Sequence, residues 1–235
     1  MRVATVIPVF VLGLAALPAS GGRADAAPLL LPEVSRHMSD GERALRNGDG
    51  DLAQSHAALV LVGSDISVAV RAEGIEGREA EEAERATEKA FDTWAAATDD
   101  DVAFDRDDRH PDPTITIRLM KDVVRNGEHL AGWVSWKRAM PAQGTAAKYR
   151  ADIMIRTRRT DGRRMSSAAV HHEVCHELGH VLGLDDCEGP GNIMGALDPS
   201  KPCAGPCDAE ARLVRELRRR ARSITEQASR SGRSQ

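Results

Sequence analysis

Beyond its first 26 residues, the chain lacks any apolar run long enough to cross a membrane. The exception at the N-terminus is short: a basic Arg2, an apolar run from Val3 to Leu17, and small residues at Ala24 to Ala26. This order is typical of a secretory signal peptide, predicted to span residues 1–26. We therefore expect a secreted, extracellular protein, whose remaining 210 or so residues suffice for one domain with a proper core.

The sequence also lacks a strong excess of charge of either sign. Its formal net charge is −4, and acidic and basic residues are mixed along most of its length. Nothing in this distribution indicates nucleic acid as a partner. The basic C-terminal stretch carries apolar residues at helical spacing, so it is interpreted as an amphipathic closing helix.

One segment carries most of the chemistry, and it reads His-Glu-x-x-His-x-x-Gly-x-x-Asp from His176 to Asp186. Residues four apart lie one above the other on an α-helix, so His176 and His180 can offer nitrogens to one metal ion, with Glu177 beside the open coordination position. Gly183 can adopt a positive φ and turn the chain back, so that Asp186 supplies a third ligand. This pattern predicts a catalytic zinc site.

The sequence offers an alternative register for the zinc motif and an alternative third ligand. An overlapping motif is formed by His172, Glu173 and His176, but it places Leu182, which cannot bind zinc, where the third ligand is needed. The later register is therefore preferred, and His172 and Glu173 are interpreted as solvated or outer groups. Asp185 remains an alternative third ligand on spacing alone.

The motif, its glycine and Met194 in Asn192-Ile193-Met194-Gly195 together resemble the metzincin clan of zinc endopeptidases. The segment around His176 resembles the matrixins, whereas an aspartate as third ligand is similar to the snapalysin family. The resemblance implies an α+β fold. Its parts would be a twisted mixed sheet of about five strands, a long N-terminal helix, a zinc-binding helix, a turn carrying Met194 beneath the metal, and a C-terminal helix.

The function that follows is a secreted zinc endopeptidase with one catalytic Zn²⁺ ion, in which Glu177 acts as general base on a metal-activated water. Its partner would be a protein or peptide substrate, and we expect a monomer. The alternative is a catalytically degenerate relative that only binds zinc. The resemblance also assigns Gly132, Trp133 and Val134 to an edge strand onto which a peptide could add.

Four cysteines in an exported chain suggest disulfides. Cys187 and Cys203 flank the methionine turn, and the position of Cys203 matches the snapalysin resemblance, so a bridge between them is one expectation. Cys175 is expected to be buried or paired with Cys207.

Composition and hydrophobic periodicity divide the chain after the signal peptide into three segments. Residues 27–63 are Leu/Pro-rich and then turn-rich, and are predicted to be a propeptide or an N-terminal extension. Residues 64–228 would form the metallopeptidase domain. Within it, alternation predicts strands around Ile66, Ile115 and Ile153, and an apolar stripe predicts a helix over residues 78–98. Residues 229–235 would be a disordered tail.

Overall fold

The computed structural model describes residues 29–63, 65–139, 148–188 and 191–232, so the predicted signal peptide lies outside the described residues. The elements follow one another as α1 (Pro32–Arg46), α2 (Gly50–Val60), β1 (Asp65–Glu73), α3 (Arg78–Ala97), β2 (Ala103–Arg106), β3 (Ile115–Met120), β4 (Val123–Arg125), β5 (Glu128–Leu130), β6 (Gly132–Ala139), β7 (Lys148–Arg156), α4 (Ser167–Val181) and α5 (Asp208–Gly232).

A five-stranded mixed sheet organises the fold, with strand order β2-β1-β3-β7-β6. The first four strands run parallel, and only β6 is antiparallel to its neighbour β7. Ile117 and Ile153 face each other in register in the centre of the sheet, and both are fully buried. Strand β6 therefore forms one edge of the sheet, beside the helix that carries the predicted metal ligands. The predicted α+β fold and sheet are confirmed.

Two helices pack together against the sheet. Helix α3 buries the stripe of small residues and Trp94 that the sequence indicated, and the Trp94 indole donates to the carbonyl of Cys175 in α4 at 2.9 Å. Small alanines let α4 approach closely. Every residue from Ala169 to Val181 is buried, so α4 is a central helix rather than a surface one.

The segment predicted as a propeptide or extension forms the helices α1 and α2, which pack against each other and against α5. Pro32 opens α1 where its missing N–H is not needed. Asn47 ends α1, and the side chain of Asp49 caps α2 by accepting from the N–H of Leu52. The turn-rich sequence between them is thus a helix connection.

Two further features complete the fold. Strands β4 and β5 form a hairpin that the sequence analysis did not identify, although Asn126-Gly127, both with positive φ, is a strong signal for such a turn. Helix α5 continues to Gly232, so residues 229–232 are helical and not part of the predicted disordered tail. Within the described ranges, no helix is both long and apolar enough to span a membrane.

Candidate metal centre

The helix α4 starts at a serine cap and carries both candidate histidine ligands. The hydroxyl of Ser166 accepts from the N–H of Ala169 at 3.1 Å, which fixes the first turn. His176 and His180 follow at a spacing of one helical turn, and their rings meet edge to face with centroids 4.8 Å apart. Both rings point to the same side of the helix, as the sequence predicted.

Asp186 completes a group of three potential ligands. One ligand atom from each of His176, His180 and Asp186 lies within 4.8 Å of the others. The Asp186 Oδ1 atom is 3.3 Å from His176 Nε2 and 3.4 Å from His180 Nε2, yet it is buried and has no aligned hydrogen-bond donor. Gly183 has φ +103°, which turns the chain back towards the histidines.

Backbone carbonyls fix the orientation of both imidazoles. His176 Nδ1 lies 2.9 Å from the carbonyl oxygen of Ile193, and His180 Nδ1 lies 2.9 Å from that of Leu184. A carbonyl can only accept, so each Nδ1 carries the proton and each Nε2 presents a lone pair. Two lone pairs and a carboxylate oxygen therefore converge, and a divalent cation fits such a set of acceptors.

The electrostatics of the site agree with this interpretation. Burial lowers the pKa of His176, but the adjacent Asp186 carboxylate outweighs it and leaves this pKa raised. Burial raises the pKa of Asp186, yet the two nearby imidazoles prevail and hold it below its usual range. Positive charge is thus favoured where the three side chains meet.

Glu177 occupies the neighbouring position over the cleft. Its side chain is buried, and burial, reinforced by the nearby carboxylates of Glu173 and Asp186, raises its pKa to about 8. Its Oε1 atom lies directly under Gly132, where an added Cβ would be only 2.3 Å away. A carboxylate with a raised pKa beside a metal site is suited to accept and return a proton.

The cleft lies between the metal ligands and the edge strand β6. It is lined by Gly132, Trp133, Val134, Trp136, Glu177, His180 and Asp186. The residues predicted to form the substrate strand are therefore placed beside the ligands. The guanidinium of Arg125, on the β4–β5 hairpin, stacks over the Trp133 ring at 4.8 Å from its centroid.

The methionine turn lies directly beneath the ligand helix. Met194 is fully buried, and its sulfur would be 2.3 Å from a Cβ on Gly179, so only glycine permits this approach. Glu210, which the sequence analysis missed, anchors the turn: its buried carboxylate accepts from the N–H groups of Ile193 at 3.2 Å and Met194 at 2.9 Å.

The same Glu210 carboxylate also accepts from the N–H of Cys207 at 2.7 Å, just before α5 begins. A glutamate at the third position of a helix often reaches back in this way. That pattern was the available sequence signal for Glu210. Its link to the methionine turn could not be derived from the sequence because the two are joined only in the folded chain.

The overlapping motif does not assemble a second site. His172 Nδ1 accepts from the N–H of Cys203 at 3.0 Å, and Leu182 stands where its third ligand would be. His172 and Glu173 are buried, so of the two interpretations of these residues, solvated or outer groups, the solvated one is wrong. Asp185, the alternative third ligand, is not part of the group formed by His176, His180 and Asp186, and its carboxylate accepts from the N–H of Asp186 at 3.0 Å.

The expected disulfides are not formed, since all four cysteines are free. Asn192 lies between Cys187 and Cys203: its side-chain amide donates to Cys187 Sγ at 3.3 Å, and its carbonyl accepts from Cys203 Sγ at 3.5 Å. Cys175 is buried on α4 with its sulfur 3.6 Å from His171 Nε2, and it is not paired with Cys207.

Comparisons with known proteins show the family of this chain. No curated protein matches the sequence. Among solved structures, the chain is similar to archaemetzincin from Methanopyrus kandleri, with 13% sequence identity and a TM-score of 0.44, covering 66% of this chain and 96% of that one. The family model of the matrixins matches residues 64–200, more than half of the chain, and confirms the metzincin resemblance. The chain therefore belongs to the matrixin family of metzincin-type zinc metallopeptidases.

Proposed function

We propose that this protein is a secreted zinc endopeptidase that cleaves peptide bonds with Glu177 as general base and His176, His180 and Asp186 as metal ligands. The observation that carries the proposal is the convergence of three acceptor atoms beside the buried Glu177 carboxylate, which lines the same cleft. Secretion rests on the predicted signal peptide in residues 1–26.

The chemistry divides between the ion and the chain. A Zn²⁺ ion held by these residues would polarise the scissile carbonyl and make a bound water more acidic. The carboxylate of Glu177 accepts a proton from the attacking water and then donates this proton to the leaving amine. Its burial beneath Gly132 excludes bulk water from that proton.

Strand β6 would position the substrate. It is the edge strand of the sheet, and among the residues that the structure describes no strand pairs with its outer side. A peptide in extended conformation can pair with such an edge through main-chain hydrogen bonds. Main-chain pairing holds the peptide along the cleft between β6 and the ligands, with a scissile bond near Glu177.

The test compares two neighbouring buried glutamates. Cleavage of casein and of a quenched fluorescent peptide is measured with and without a chelator, and zinc is quantified in each variant. Glu177→Gln should keep its zinc and lose at least about a hundredfold in kcat, because general base catalysis is removed. Glu173→Gln, which alters the glutamate of the overlapping motif, should keep most of the activity.

The outcomes separate the competing readings. Activity that survives in Glu177→Gln and disappears in Glu173→Gln would show that the base is misassigned. Wild-type protein that binds zinc but cleaves neither casein nor the peptide would support a degenerate zinc-binding module instead.

A further inference from the structure

The residues just before α1 pair with the loop that leads to Asp186. We name residues 29–33 the N-terminal strap. The N–H of Leu31 donates to the carbonyl of Gly183 at 2.9 Å, and the N–H of Asp185 donates to the carbonyl of Leu29 at 2.8 Å. Leu30 and Leu184 form an antiparallel bridge between these bonds. The ligand loop is thus paired on both sides of Leu184.

This pairing acts on two of the three metal ligands. Leu184, at the centre of the paired segment, provides the carbonyl that orients His180. Asp186 is the next residue after Asp185, whose N–H is bonded to the strap. The loop turns through Gly183 at φ +103°, and its own backbone bonds to the end of α4 reach as far as Leu184, whose N–H donates to the carbonyl of Gly179 at 2.9 Å. The backbone N–H of the next residue, Asp185, is held by the strap.

The strap is anchored in the core at Leu31 and by the residue that follows it in α1, Val34. Leu31 is 1% exposed, and Val34, in the first turn of α1, is fully buried against Gly183. On the other side of the cleft, the Trp136 indole donates to the carboxylate of Glu33 at 2.7 Å. Trp136 lines the cleft on strand β6. The strap therefore connects the ligand loop to the opposite wall.

We propose that the N-terminal strap is a permanent part of the active enzyme and positions Asp186 for the metal, an inference that rests on the proposed function. Residues 29–33 are positioning residues, which act through the backbone of Gly183 and Asp185 and through Trp136. Removal of the predicted signal peptide after residue 26 leaves the strap in place. Cleavage within 32–63, as for a removable propeptide, would separate Leu31 from the domain and release the loop.

A matched pair of substitutions in the full chain isolates the hydrogen bond. Leu31 has φ −49°, close to the value that a proline ring imposes, so Leu31→Pro fits the backbone while removing the N–H that donates to Gly183. Leu31→Ala also loses the buried side chain but keeps this N–H. The difference between the two variants reports the strap's bond to the loop.

The measured quantity is the dissociation constant for Zn²⁺, determined by competition with a chromophoric chelator, together with the melting temperature of the metal-free protein. Leu31→Pro should bind zinc at least about tenfold more weakly than Leu31→Ala, because changes to the groups that orient metal ligands commonly reduce metal affinity by this factor. Because one hydrogen bond is lost, the metal-free melting temperature of Leu31→Pro should lie only about 2–4 °C below that of Leu31→Ala. In an Asp186→Ala background, the difference between proline and alanine should shrink, because only the route through the Leu184 carbonyl and His180 remains.

The contrary results are distinct. Equal zinc affinities of Leu31→Pro and Leu31→Ala, with a clear loss in Asp186→Ala, would overturn the strap and leave the metal site intact. An Asp186→Ala variant with unchanged zinc affinity would overturn the metal site and this inference with it. If Leu31→Pro does not fold, hydrogen exchange of the wild-type protein decides, because fast exchange at the Asp185 amide would contradict the pairing.

Discussion

Gly132→Ala tests the placement of the general base with a single methyl group. Gly132 is the first residue of β6 and has no positive φ, so alanine suits its backbone. The added Cβ would lie 2.3 Å from Glu177 Oε1 and 3.0 Å from Glu173 Oε2, whereas ordinary contacts begin near 3.4 Å. Glu177 would have to move by about 1 Å, a misplacement that can reduce a rate about a hundredfold.

We therefore expect kcat for peptide cleavage to fall about a hundredfold in Gly132→Ala while zinc content stays at the wild-type level. The assay is steady-state cleavage of a fluorescent peptide, with kcat and KM determined separately. Gly50→Ala, at the start of α2 and in contact with Ala228 rather than the cleft, is the matched control and should be neutral. A wild-type kcat in folded, zinc-loaded Gly132→Ala would refute the placement of Glu177.

Three further predictions concern the anchor, the pH dependence of folding and the third ligand. Glu210→Ala leaves the N–H groups of Ile193 and Met194 without their acceptor, so the free energy of unfolding in urea should drop by about 3 kcal/mol, and an unchanged value would contradict the anchor. Burial, with smaller effects from nearby cationic groups, lowers the pKa of His37 from 6.5 to about 4, so the unfolded chain binds its proton first as the pH falls. The contribution of neutral His37 to the free energy of unfolding should therefore be fully present above pH 6.5 and should be lost as the pH falls towards 4. The decline in stability should be shallower in His37→Gln, where His172, whose pKa burial also lowers to about 4, still contributes, and a decline as steep as in the wild type would show that His37 is not responsible. Asp186→His, if it retains zinc, should shift the acidic limb of the pH–rate profile to lower pH. The neutral histidine would leave the metal more electron-withdrawing than the carboxylate does, and this would lower the pKa of the bound water. Acidic limbs that coincide in the two proteins would refute this prediction.

The metal site could be predicted because its signal is local. Helical spacing alone places His176 and His180 on one side of α4, and Gly183 permits the turn that brings Asp186 to them. The strands of the sheet were likewise visible, since Ile115 and Ile117 alternate with half-buried residues along β3. Such patterns depend on neighbours in the sequence.

The features that were missed depend on contacts between distant parts of the chain. Helix α1 is mostly polar and contains Gly41 in its interior, so its own sequence favours a helix only weakly. It is stabilised by burying Val34 and Met38 against the rest of the core. The burial of His172 and Glu173 follows from the position of α4 between α3 and β6, which no periodicity within α4 reveals. Tertiary packing decides these cases.

The most direct test of the account is a crystal structure of the zinc-loaded protein, with diffraction recorded at the zinc absorption edge. The account predicts one anomalous peak about 2.0–2.2 Å from His176 Nε2, His180 Nε2 and an oxygen of Asp186, with Glu177 facing the remaining position. A peak bound by cysteine sulfur, or by the two histidines with the Asp186 carboxylate turned away, would contradict it.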